Sequence, residues 1–207
     1  MSERLPWLKP AVFSGGLVPL AAISYQWASG NLGANPIAEA LNRFGLVALV
    51  LLVLSLACTP LKVVLDWNWP LRVRRLLGLQ AFAYATLHVL TYAGLDQLLD
   101  VAAIAADIVK RPFILVGFLA WLLLVPLAIT SSTRMVQRLG FKRWKLLHRL
   151  VYLIGLLGVV HFWLRVKADV SEPLTYGVVL GLLLLVRVVD MLRNTKRRAR
   201  RPSPVRA

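Results

Sequence analysis

The stretch KLLHRLVYLIGLLGVVHFW, residues 145–163, decides how this chain is to be read. It is almost wholly apolar, and at 1.5 Å per residue it is long enough to cross a hydrocarbon core of about 30 Å as a helix. Yet it carries two histidines, His148 and His161, thirteen residues apart. Ionisable side chains are costly in lipid, and where they occur they usually mark function.

Working outward, five more blocks share that character. The six run at about 10–28, 44–64, 76–98, 112–130, 146–164 and 174–192. With 58% hydrophobic residues and a mean hydropathy of +0.69, the 207-residue chain gathers its apolar residues into long runs, where a soluble core would space them as stripes. The strands of a membrane β-barrel alternate apolar with polar residues, and these blocks do not. The expectation is all-α: a polytopic six-helix transmembrane bundle over 1–194, followed by a basic, disordered cytoplasmic tail at 195–207. Arg4 and Lys9 precede the first block as they would a signal peptide. No small-residue cleavage site follows it, so it reads as a retained helix bent at Pro19.

Charge alternates between loops. Arg72, Arg74 and Arg75 follow the second block, Arg134, Arg138, Lys142, Arg143 and Lys145 follow the fourth, and a run of arginine and lysine follows the sixth. Glu39, then Asp96, Asp100 and Asp107, then Asp169 and Glu172 occupy the other loops. By the positive-inside rule the basic loops and both termini face the cytoplasm. A net charge of +16 is of the size seen in nucleic-acid binders, but its distribution over alternate loops is what topology requires. The tail suits anionic lipid.

Cysteine chemistry is bounded tightly. Cys58 is the one cysteine, so no internal disulfide, thiolate metal site or CxxCH haem attachment is available, and it reads as a small buried hydrophobe. The three histidines, His88, His148 and His161, all fall within expected spans. His88 lies 13 residues beyond Arg75, and His161 lies 13 beyond His148, so each sits about 20 Å further outward on an outward-running helix. If Arg75 and His148 mark the inner surface, His88 and His161 share a level near the outer half. Two facing neutral imidazoles suit the axial positions of a haem iron, with Ala81, Ala85, Gly155 and Gly158 leaving room for a flat macrocycle or for close helix packing. The plain alternative is a histidine hydrogen-bonded within the bundle, with Thr86 or Thr91 as partner for His88. His148 is about 140° from His161 in azimuth on a straight helix, so it faces the same partner only if that helix is distorted, near Gly155 or Gly158.

RRLLGLQAFAYATLHVLTY (74–92), KRPFILVGF (110–118), RWKLLHRLVYL (143–153), HFWLRVKAD (161–169) and CTPL at Cys58 closely resemble the MsrQ family. These are haem-binding membrane subunits of the MsrPQ periplasmic methionine-sulfoxide reductase system, within the wider ferric-reductase-like transmembrane group. The resemblance covers about helix 2 to helix 6. It implies a b-type cytochrome of the bacterial inner membrane that takes electrons from the quinone pool, with quinol as donor and the flavin FMN as a second cofactor. The partner it implies is a periplasmic molybdopterin reductase (MsrP-like) that repairs methionine sulfoxide in oxidised proteins. This chain would supply electrons and hold no sulfoxide-reducing site of its own.

Two-haem relatives in the wider group carry two histidines on each ligand helix, whereas helix 3 here has only His88 and places Arg75 at the inner position. Arginine does not readily deprotonate, so Arg75 suits a propionate, a flavin phosphate or lipid better than iron. His88 and His161 are thus the expected haem ligands. His148 is a candidate for a second, weaker haem site, a quinone or flavin contact, or a role in ordering the inner loops.

Lys110, Arg111, Arg165 and Lys167 lie on the side where few basic residues are expected; they serve as snorkelling anchors, or as partners for haem propionates or for an acidic protein face. No glycine-rich nucleotide fingerprint is present. The alternatives are a transmembrane ferric reductase, another quinol-linked oxidoreductase subunit, or a proton-coupled transporter with relay histidines. A red preparation with a Soret band that shifts on reduction separates the haem readings from transport.

Overall fold

The computed structural model describes residues 5–199, all in helices and their connections. Its elements are α1 (Leu8–Ala28), α2 (Pro36–Leu65), α3 (Pro70–Leu90), α4 (Val101–Lys110), α5 (Pro112–Ile129), α6 (Thr133–Leu139), α7 (Phe141–Leu147), α8 (Leu150–Arg165) and α9 (Ser171–Ala199). Among the described residues six spans are long and apolar enough to cross a bilayer, and the chain is an all-α, multi-pass membrane bundle.

Several boundaries move outward from the apolar blocks, because polar residues continue a helix wherever caps allow. α2 starts at Pro36, where Asn35 accepts a hydrogen bond from Ala38 N (3.1 Å) and proline takes a first-turn position that needs no N–H. It ends at Asp66, a left-handed residue (φ 57°) whose carboxylate pairs with Lys62. α3 begins at Pro70, so Arg72, Arg74 and Arg75 ride on its first turns and are not in a loop. α9 runs past Asn194 to Ala199; the rest of the expected tail, residues 200–207, lies outside the described residues.

Two features have no counterpart among the apolar blocks. Beyond His88 the third span continues as a π-helical turn, Thr91–Asp96, a widened geometry that recurs at functional sites. The amphipathic α4 then follows, capped by Asp100 accepting from Ala103 N (2.9 Å). The segment 145–163, expected as part of a single span, is not one straight helix. α7 stops at Leu147, His148 and Arg149 form the turn, and α8 begins at Leu150, so the distortion falls at the histidine itself and not at Gly155 or Gly158.

α2 is the central helix, packing on α1, α3, α8 and α9, while α5 packs on α3 and α8. Leu52, Leu56, Ile154 and Leu180 are buried where α2, α8 and α9 meet. Gly155 permits that approach: a Cβ there would stand 3.2 Å from Leu56 Cδ1. α1 is fastened to α3 by polar bonds at its proline. Pro19 interrupts the α1 ladder, and the Tyr84 hydroxyl enters the gap, donating to Gly16 O (2.6 Å) and accepting from Leu20 N (3.0 Å).

Candidate functional site

Residues of α2, α3 and the π-helical turn after it, α4, α5 and α8, with Glu172 of α9, line a cavity of about 500 Å³. Its walls are mostly apolar, with Leu49, Ala81, Ala85, Ala120 and Gly158 among them, and its polar groups gather toward the helix ends. Both His88 and His161 line it. They come from helices far apart in sequence, and the fold brings their rings together.

Each ring is fixed by a backbone carbonyl of a neighbouring helix. His88 Nδ1 lies 2.8 Å from Leu41 O on α2, and His161 Nδ1 lies 2.6 Å from Phe113 O on α5. A carbonyl only accepts, so both Nδ1 atoms carry the hydrogen and both Nε2 atoms hold a lone pair. Neither Nε2 has a hydrogen-bond partner among the described residues. This is the arrangement that orients metal-binding imidazoles: one nitrogen donates to a carbonyl and the other is left for the metal. Thr86 and Thr91, the partners considered for His88, bond instead to Phe82 O (2.9 Å) and Leu87 O (2.8 Å) on their own helix.

Two glycines make room for these rings. A Cβ on Gly117 would stand 2.6 Å from His161 Nδ1, and one on Gly45 would stand 3.0 Å from His88 Nδ1. Any larger residue would push the imidazole off its carbonyl. The ring centroids are 6.0 Å apart with planes at 83°, so neither ring stacks on the other. Two metal–nitrogen bonds of about 2 Å, each extended by an imidazole's own radius, span roughly that separation. The donor set, the tautomers and the spacing fit bis-imidazole ligation of a haem.

The other anticipated residues are placed differently. His148 does not line the cavity; it sits at the α7–α8 turn, with its ring centroid 4.2 Å from that of Trp144. Its Nε2 is 3.0 Å from Thr130 Oγ1, whose own hydrogen is directed to Pro126 O (2.6 Å), so His148 donates and its Nε2 is engaged. Trp144 Nε1 donates to Thr130 O (2.9 Å), which closes this corner. Arg75 is exposed and does not line the cavity. Of the four outer basic residues, Arg111 and Arg165 line the cavity; Lys110 and Lys167 are exposed and do not.

Sequence reasoning missed Gly45 and Gly117, whose role exists only across a helix interface. It also missed Arg43 and Trp121 on the cavity wall; Trp121 Nε1 donates to Thr86 Oγ1 (3.1 Å), which bridges α5 to α3.

The family described as ferric reductase like transmembrane component matches residues 44–159, a stretch that includes His88, His148, Gly45 and Gly117. A Rhodospirillum rubrum protein named protein-methionine-sulfoxide reductase heme-binding subunit MsrQ is 53% identical over 193 residues, covering 93% of this chain and 92% of that one. The chain belongs to the MsrQ family. Members with the same name from Azospira oryzae and Deinococcus radiodurans are 50% and 47% identical, covering 92% and 98% of this chain and 82% and 99% of their own lengths. The matched stretch runs from within α2 to within α8 and ends just before His161.

Proposed function

We propose that this chain is a membrane b-type cytochrome that carries electrons from quinol across the inner membrane to a periplasmic molybdopterin-dependent methionine-sulfoxide reductase. The observation that carries it is the facing pair His88 and His161, each with Nδ1 held by a carbonyl and Nε2 free toward a shared cavity. The relatives' names supply the electron-transfer setting, since they are heme-binding subunits of a protein-methionine-sulfoxide reductase. The alternation of basic and acidic loops supports cytoplasmic termini and an outward-facing cavity.

His88 and His161 hold the iron in this reading, and Leu41 and Phe113 hold the histidines. When bound, the haem supplies reversible one-electron chemistry. Gly45 and Gly117 leave the imidazoles room beside their carbonyls, and the apolar wall would keep water from a haem held by the two rings. Such a site passes electrons without binding a substrate. His148, tied to Thr130 and Trp144, orders the inner corner, and Arg75 remains at the inner surface for lipid or an anionic headgroup.

The test is reduction of the purified full chain by a short-chain quinol under anaerobic conditions, followed by reoxidation with the periplasmic reductase and methionine sulfoxide. The expected outcome is a Soret band that shifts on quinol addition and returns when both partner and sulfoxide are present. A colourless protein from haem-replete cells overturns the cytochrome reading. A haem that quinol reduces but the partner leaves reduced overturns the assigned acceptor alone.

A further inference from the structure

Three arginines stand where the cavity reaches the helix ends: Arg43, Arg111 and Arg165. Two of them are already matched to carboxylates. Arg43 Nε is 2.7 Å from Glu39 Oε1, with Nη1 donating to Gln26 Oε1 (2.5 Å), and Arg111 Nε is 3.3 Å from Asp107 Oδ1, which also accepts at Oδ2 from the Tyr92 hydroxyl (3.1 Å).

Arg165 is different. Its Nη1 donates to Asn42 Oδ1 (2.9 Å), its guanidinium carbon is 5.5 Å from the Phe162 ring centroid, and no carboxylate lies within 4.0 Å among the described residues. A partly buried guanidinium held by a neutral amide lacks the anion that would offset its desolvation. Asn42 fixes its direction without neutralising it. Arg165 also follows His161 by four residues, which puts it on the same helix face about 6 Å nearer the end of the bundle.

We infer that Arg165 binds a propionate carboxylate of the porphyrin, with Asn42 as the positioning residue that aims its guanidinium. The inference rests on the haem reading above. The porphyrin is apolar over its faces and carries its two carboxylates on one edge, so it enters an apolar cavity with that edge toward the charged end. Arginine is suited to this because it keeps its charge and offers a planar fork of donors matched to a carboxylate. Arg43 and Arg111, already engaged by Glu39 and Asp107, offer less to a second anion.

The experiment compares haem b with its dimethyl ester, in which both carboxylates are capped, in full-length apoprotein prepared from haem-limited cells. The readout is the rate of porphyrin loss to a haem-scavenging protein. The parent should lose the diester about tenfold faster than haem b, the scale of one charge-assisted hydrogen bond. Arg165→Gln should lose haem b at about the parent's rate for the diester and leave the diester rate unchanged. Arg165→Lys should fall between, and Lys167→Gln, exposed and off the cavity, should match the parent.

Equal loss of both porphyrins from the parent overturns the inference without any variant, so an unfolded Arg165→Gln protein cannot shelter it. Equal loosening of both porphyrins by Arg165→Gln, or no loosening of haem b, also overturns it, because Arg165 then acts through packing or as an interfacial anchor. A parent that binds neither porphyrin overturns the haem reading itself. A parent with a normal low-spin haem and an indifferent Arg165 overturns only the propionate assignment.

Discussion

Replacing Gly117 by alanine adds one methyl group to α5 and tests the central geometry. The new Cβ would stand 2.6 Å from His161 Nδ1, where ordinary contact begins near 3.4 Å. The ring must therefore retreat by about 0.8 Å, on a scale where overpacking costs about 1–3 kcal/mol. The retreat is away from α5, so it also stretches the 2.6 Å bond from Nδ1 to Phe113 O, which is worth about 1 kcal/mol. Against this, alanine favours the helix over glycine by about 1 kcal/mol. A net loss of about 1–3 kcal/mol corresponds to a haem affinity roughly five- to hundredfold weaker. The assay is haem titration of apoprotein, with the low-spin signal followed by electron paramagnetic resonance. Gly45→Ala, with its Cβ at 3.0 Å from His88 Nδ1, should cost less, and Gly181→Ala, with nothing within 4 Å, should cost nothing. A Gly117→Ala protein that binds haem as tightly as Gly181→Ala, with an unchanged low-spin signal, would refute the packing argument.

Other expectations follow from individual contacts. Tyr84→Phe leaves Leu20 N and Gly16 O without their hydroxyl partner at the Pro19 break, so stability should fall by about 1–3 kcal/mol while a folded haem spectrum persists; thermal melts of the Soret band check this. Arg187→Leu removes bonds to Leu56 O (2.7 Å) and the Tyr152 hydroxyl (2.5 Å) that tie α9 to α2 and α8, and should lower the melting temperature without altering the haem spectrum at room temperature. Trp121→Phe removes the bond to Thr86 Oγ1 beside the cavity and should shift the haem absorption or potential while leaving its ligation low-spin.

Much of the bundle was legible because lipid imposes one rule on every span: backbone groups must be satisfied within the helix, so apolar length alone announces it. The pairing of His88 with His161 was legible for a related reason, since rise per residue converts sequence position into depth. What depth counting cannot give is azimuth or partner. Nothing near His88 in sequence names Leu41 O as its acceptor, and Gly45 and Gly117 acquire meaning only when α2 meets α3 and α5 meets α8. The break at His148 was hidden too, because HRL reads as helix and the turn is held from outside by Thr130 and Trp144. Arg165 was noticed as a charge on the unexpected side, but its want of a carboxylate depends on where Glu39 and Asp107 point.

The most direct measurement compares haem content and the reduced-minus-oxidised spectrum of His88→Ala, His161→Ala and His148→Ala in one membrane preparation. Either of the first two removes a strong iron ligand from a site with no covalent attachment, so the low-spin signal of the His88–His161 site should be lost in both. His148→Ala should keep that signal, because its ring bonds to Thr130 and lies outside the cavity. The contradictory result is a His88→Ala protein that retains its full low-spin spectrum beside a His148→Ala protein that loses all of its haem.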